Sequence, residues 1–341
     1  MNLSPIEWTD YTSNPLRYRD PDGNIVHACI HKSGGCLHCY AEVMSKRWGR
    51  KGLPFTAENM KPLTPFLDEK ELHHMLTYKP AAGKRCFVGD MTDIFGEWVP
   101  DELLWELFSV FALRSDVTWQ VLTKRADRMM RLLLDNEWES KEGGVPFWAM
   151  VEGCAQRRYH DRTGEDPSLW LAVHGPLPNV WLGVSAEDQK NADERIPLLL
   201  QTPAAVRFVS YEPALGPVEF DCGPGRSGPH RYFSVEVDHP EDQRLDWVIV
   251  GGESGPGARP FNIQWARDAI AQCQAAGVAV FVKQLGAAPF LEYSRSYRKE
   301  TPGLKLSIQQ LEVDTTISLG DRKGGDPAEW PSDLRVREFP Q

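Results

Sequence analysis

The chain lacks what marks several large classes of protein. No run of 18 apolar residues occurs in its 341, so no membrane-spanning helix is expected. The opening MNLSPIEWTDY lacks the basic-then-apolar build of a secretory signal, and the expected location is cytoplasmic. Positive charge is in deficit: 38 Lys and Arg against 48 Asp and Glu give a formal net charge of −10. That argues against a surface that coats duplex nucleic acid, and leaves room for a local basic groove. Seven cysteines in such a length are too sparse for a disulfide scaffold, and their number is odd. No G-x-S-x-G elbow, Walker loop, H-E-x-x-H pair or kinase motif set is found. Low-complexity tracts and sequence repeats are also missing.

Material for a core is present, with 41% hydrophobic residues, enough for one large core or two small ones. Short β-branched or aromatic runs end in polar residues at 85–93, 118–125, 179–188, 205–213, 246–255 and 278–286. Helical patterns follow most of them, as in PDELLWELFSVFAL, ADRMMRLLLDN, NADERIPLLLQ and WARDAIAQCQAAG. Near-continuous apolar strands alternating with helices predict an α/β chain with a parallel sheet. Six or seven βα units predict a TIM-like barrel, partial or complete, with a doubly wound sheet as the alternative. IEWTD, before the cysteines, is expected as one more strand. Residues 136–178 read as an insertion and 221–244 as an exposed loop or hairpin. The barrel is expected over 1–286, with 287–341 a strand-and-loop extension packed on it. GDPAEWP in that extension reads as a surface turn.

Three of the seven cysteines are clustered, as Cys29, Cys36 and Cys39 in HACIHKSGGCLHCYAE. Cys86, Cys154, Cys222 and Cys273 are scattered and read as thiols without a role. Three thiols leave one tetrahedral position to fill or to keep open. A Cys3His zinc site would recruit His27, His31 or His38. A four-iron cluster would expose one iron to a substrate or cofactor. A position at the mouth of a βα barrel points to catalysis more than to stapling. Sites in such folds lie at the C-terminal ends of the strands, which here carry Asp90 and Asp93, Lys124 and Arg125, Ser185, Glu187, Glu212, Gly251 to Ser254, and Lys283. Lys124, Glu212 and Lys283 are the candidate catalytic groups. In VIVGGESGPGARP, Gly251 and Gly252 leave room for a ligand, Glu253 offers a carboxylate, and Arg259 could meet an anion. Basic runs with aromatics at 45–51, 124–131 and 156–162 allow a groove for a nucleic-acid strand.

The combination of IEWTD, GCLHCYAE, FVGDMTDIF, QVLTKR, NVWLGVSAEDQ, RFVSYEP, VIVGGESGPGARP and KGGDPAEWP resembles a phage-associated family with a three-cysteine motif, known as a domain of unknown function. That family is similar to a branch of the radical S-adenosylmethionine superfamily and, distantly, to spore photoproduct lyase. The resemblance implies a partial βα barrel with a [4Fe-4S] cluster on Cys29, Cys36 and Cys39. The open iron would take the amino and carboxylate groups of S-adenosylmethionine. His38 would lie against the adenine, and Gly89 with Asp90 would hold the amine. Ser185 and Glu187 would meet ribose and carboxylate, with Gly251, Gly252 and Glu253 a second candidate for the amine. Spacing departs from the superfamily's common C-x3-C-x2-C by three extra residues between the first two thiols. The implied activity generates a 5′-deoxyadenosyl radical that abstracts hydrogen from a substrate. A single-stranded or flipped-out nucleic acid is the expected substrate, in repair or modification, with an electron donor and a partner protein beside it. The alternatives are a zinc-stapled binding protein and a radical enzyme on a peptide or metabolite.

Overall fold

A computed structural model describes residues 1–47, 52–134, 146–167, 172–173, 175–220, 244–291 and 315–340. They form two compact units, one of Met1–Val184 with Gln201–Val206, the other of Ser185–Leu200 with Arg207–Gln341.

The first unit opens with β1 (Asn2–Leu3), antiparallel to β2 (Tyr11–Ser13). A small antiparallel sheet follows, with β3 (Leu16–Arg19) between β4 (Ile25–Val26) and a later strand, β5 (Thr64–Leu67). Between β4 and β5 come the cysteines, α1 (Tyr40–Arg47) and α2 (Ala57–Met60), the latter capped by Thr56, which accepts the Asn59 N–H. Next are α3 (Glu69–Thr77), β6 (Arg85–Val88), α4 (Asp101–Leu113), β7 (Thr118–Thr123), α5 (Ala126–Leu134), α6 (Phe147–Thr163) and β8 (Val180–Ser185). β2, β6, β7 and β8 pair in that order, all parallel. Their C-terminal ends therefore share one edge.

The strands carry few solvated side chains because both faces are covered: Cys86, Phe87 and Val88 of β6 and Trp119, Gln120 and Val121 of β7 are all buried. The helical layer is held by aromatic packing. Phe108 of α4 lies 5.1 Å from Phe111, 5.3 Å from Phe147 and 6.1 Å from Trp148, ring centre to ring centre. A fully buried phenylalanine cut back to alanine loses its transfer energy and leaves a cavity. Phe108→Ala is expected to destabilise the first unit by about 3–5 kcal/mol, read from urea denaturation.

The second unit holds α7 (Gln189–Gln201), β9 (Val206–Tyr211), β10 (Trp247–Gly251), β11 (Phe261–Asn262), α8 (Ile263–Ala276), β12 (Ala279–Gln284), β13 (Pro289–Leu291) and β14 (Thr315–Thr316). β10 lies between β9 and β12, parallel to both. β13 pairs with β11 and β14. α8 begins under Asn262, whose side chain accepts the Gln264 N–H, and ends at Gly277 in the left-handed region.

The six expected strands and the four helices that follow them are all found, in a mixed α/β chain. Pairing among the described residues closes neither unit into a barrel, so a full TIM barrel is not formed within either. IEWTD is not a strand: its residues turn, with the Thr9 N–H on the Ile6 carbonyl and the Asp10 carboxylate taken by the N–H and Nε of Arg85. The first parallel strand is Tyr11–Ser13 instead. The expected insertion at 136–178 contains α6, whose Phe147, Trp148, Val151, Cys154 and Ala155 are buried. GDPAEWP is a turn with Asp326, Ala328 and Glu329 exposed, as expected, and it is anchored by Trp330, which is 2% exposed and donates its Nε1 to the Gly324 carbonyl. The loop expected at 221–244, apart from its last residue, and LKLSIQQLEV lie outside the described residues.

Candidate metal centre and strand-end groups

The cysteine loop lies over the C-terminal ends of β6 and β7. Three hydrogen bonds place it there: Thr92 Oγ1 donates to the Ala28 carbonyl at 2.6 Å, Arg125 Nη2 to the Ile30 carbonyl at 3.0 Å, and Tyr40 Oη to the Asp90 carbonyl at 2.6 Å. All three cysteines are half-buried and reduced. Cys29 and Cys39 pack against Ala41, Phe55 and Met91. Cys36 closes a short 3-10 turn, where the Lys32 N–H donates to its Sγ at 3.5 Å. Burial pushes the Cys29 thiol up to about 12, helped by the charge of Asp93 and opposed by the Asp93 N–H and the Arg125 guanidinium. Burial raises Cys39 too, against the N–H groups of Glu42 and Ala41 at the start of α1. These thiols therefore carry protons until a metal displaces them.

The donor set, three thiols on one loop, suits an iron–sulfur cluster, or a zinc given a fourth ligand. Among the described residues no three His, Cys, Asp or Glu side chains converge on a point where one ion would be bound. His31 is engaged, with Nε2 2.7 Å from Glu42 Oε2. The Nε of Arg125, which follows β7, is a buried donor without a hydrogen-bond partner among the described residues.

The Gly89–Asp90 turn ends β6 beside this loop. Gly89 has φ +85°, and a Cβ there would lie 2.8 Å from Ile94, so the turn requires glycine. The Asp90 carboxylate accepts from Asn14 Nδ2 and from Tyr40 Oη, the latter at 3.2 Å. Burial raises its pKa and these two donors lower it, with a net rise. Asn14 also accepts the Met91 N–H. Asn14 and Tyr40 escaped the sequence reading; the signals were an Asn directly after a strand and a Tyr directly after the last cysteine. His38 is exposed next to Cys39. Lys124 lends positive charge to the surroundings of Cys39, and its N–H donates to Asp93 Oδ2 at 3.0 Å.

In the second unit, the Lys283 Nζ of β12 donates to both oxygens of Glu212 after β9, at 2.8 and 3.0 Å, and Gln284 Nε2 adds a third bond. The other strand-end carboxylates are committed to the protein itself. Glu187 is fully buried and meets Arg195 Nη1 at 3.1 Å, and the same nitrogen donates to the Ser185 carbonyl. Glu253 receives Nε, Nη2 and the backbone N–H of Arg259. Arg259 thus meets a carboxylate, but an internal one. Gly252 serves close packing, since a Cβ there would lie 2.5 Å from the Leu285 carbonyl oxygen, and Gly251 abuts the Glu212 carboxyl.

Two of the three basic runs are tied down. Arg157 and Arg158 both bind Glu106, and Arg158 also reaches Glu69. Arg125 and Arg128 are buried on Glu97 and Asp101, leaving Arg131 exposed on Asp127. Lys46 and Arg47 of the first run are exposed, with Lys46 on Glu42; residues 48–51 lie outside the described set. No described helix is long and apolar enough to cross a membrane.

No curated protein and no solved structure matches the chain. One family model covers residues 3–312, a span that includes the cysteine loop, the Asp90 turn and the three strand-end ion pairs of the second unit, and the chain belongs to that family, described as a protein of unknown function (DUF5131).

Proposed function

We propose that the chain is a radical S-adenosylmethionine enzyme on a partial βα barrel. In this reading Cys29, Cys36 and Cys39 hold a [4Fe-4S] cluster, and the Gly89–Asp90 turn receives the amine of S-adenosylmethionine. The observation that carries it is the contact of Tyr40, the residue after Cys39, with Asp90 at the end of a parallel strand. When bound, such a cluster supplies the electron that breaks a carbon–sulfur bond of the sulfonium.

The chain's own residues have distinct tasks. Asp90 keeps lone pairs for an ammonium group after Asn14 and Tyr40 have donated to it. Glu253 and Glu187 are already ion-paired, which favours Asp90 over either. His38 offers a ring to the adenine. Lys283 and Glu212 form an ion pair at strand ends. The substrate side of the reading rests on α1 and the turn before it. Leu37, Tyr40 and Val43 are 66, 51 and 44% exposed, at a spacing of three, with Lys46 and Arg47 further along. Exposed apolar and aromatic groups beside cations suit a splayed base and its phosphate.

Anaerobically purified protein is expected to be brown, with about four irons and four sulfides per chain. Reduced in the presence of S-adenosylmethionine, it should release 5′-deoxyadenosine, faster with single-stranded DNA than with a peptide. A colourless protein holding one zinc overturns the reading. DNA binding that is no stronger at low salt than at high removes the nucleic-acid half.

A further inference from the structure

We infer that Arg125 is the positioning residue of the cysteine loop, fixing Cys29 through the Ile30 carbonyl and offsetting the negative charge the loop gathers with its metal; this rests on the cluster reading above. Arg125 is 5% exposed. Its Nη1 binds Glu97, its Nη2 binds the Ile30 carbonyl, and its guanidinium lies 4.5 Å from the centre of the Trp98 ring. On the other side of Cys29 a relay runs from Trp98 Nε1 to Tyr18 Oη, on to Thr92 Oγ1, and ends on the Ala28 carbonyl. The carbonyls of both residues flanking Cys29, Ala28 and Ile30, are thus gripped from the strand-end side, and both grips lead back to Trp98.

Holding a loop does not by itself justify a buried guanidinium, whose desolvation costs several kcal/mol unless its donors are satisfied. Here one donor stays unsatisfied. The Nε lies 3.9 Å from Asp93 Oδ2, beyond hydrogen-bond range, and has no partner among the described residues. A soft anionic acceptor, thiolate or sulfide, would satisfy it. Asp93 completes the arrangement by taking Thr123 Oγ1 and the Lys124 N–H, while Thr123 Oγ1 accepts the Arg125 N–H. The cation is therefore fixed in backbone as well as in side chain.

The test compares the full-length protein with its Arg125→Met, Arg125→Lys and Glu97→Gln variants. Readouts are iron release to a chelator and the midpoint potential followed by electron paramagnetic resonance. Arg125→Met should release iron about tenfold faster, as expected for losing a buried charge-assisted hydrogen bond, with a more negative potential. Arg125→Lys should keep a potential near wild type yet release iron as fast as Arg125→Met, because the two-pronged grip is gone. Glu97→Gln should stay within about twofold of wild type, its partner keeping the Ile30 bond. Wild-type release and potential in Arg125→Met overturn the inference. If circular dichroism shows that Arg125→Met does not fold, Arg125→Lys decides, and unchanged release overturns it. If the wild-type protein holds no iron, the cluster reading fails. The positioning role is then read from alkylation of Cys29 in metal-free protein, expected about tenfold faster in Arg125→Lys; an unchanged rate overturns it.

Discussion

Cys36→Ala, purified without oxygen beside the wild type, is expected to lose essentially all of its iron, from about four atoms per chain to less than one. Cys36 is the best of the three thiols to remove. It lies in a 3-10 turn and makes one weak contact, with the Lys32 N–H, so its loss leaves the core intact. Cys29 and Cys39 pack against Ala41, Phe55 and Met91, and replacing either confounds ligation with packing. Cys86 and Cys273 are the controls. Both are fully buried in β6 and α8, and burial pushes both thiols far above their usual range. Alanine at those positions should leave the iron count unchanged. A Cys36→Ala protein that keeps its iron would end the assignment.

Asp90→Asn should weaken S-adenosylmethionine binding about 10- to 100-fold, by calorimetry on loaded, unreduced protein. The size follows from one charged hydrogen bond, about 1.5–3 kcal/mol. Asparagine keeps the shape and part of the bonding to Asn14 and Tyr40, so the loss reports charge. Glu253→Gln is the comparison. Its carboxylate is already held by Arg259 through three nitrogens, so that change should cost stability and leave affinity within about twofold. The opposite result would move the amine site to the Gly251–Glu253 turn. Affinity should also fall on acidification at a higher pH than for a solvated aspartate, because burial raises the Asp90 pKa and only the ionised form holds an ammonium.

The parallel strands could be read from the sequence because their burial on both faces leaves unbroken apolar runs, as in WVIVG and AVFVKQ. The cysteine loop announced itself by clustering. Short elements gave no comparable signal: β3, β4 and β5 run for two to four residues, too few for a period to emerge. α6 was hidden because Gly153 and the tail QRRYHDRT dilute an apolar stripe that exists at Phe147, Val151, Cys154 and Ala155. Charge was the least readable property. Arg157, Arg158 and Arg128 look alike in sequence to arginines that face a ligand, and only tertiary contact reveals Glu106, Glu69 and Asp101 beside them. The same holds for Glu253, whose partner lies six residues away across a glycine-rich turn.

The adjacency of Cys39 and Tyr40 makes the first turn of α1 a lever with a thiol and a phenol on neighbouring residues. Whatever immobilises Asp90 stiffens Tyr40, and through one peptide bond it stiffens Cys39. In the reading proposed above, thermodynamic reciprocity then makes the two ends answerable to each other: the factor by which an amine on the aspartate changes the affinity of the sulfurs for metal equals the factor by which metal changes the affinity for the amine.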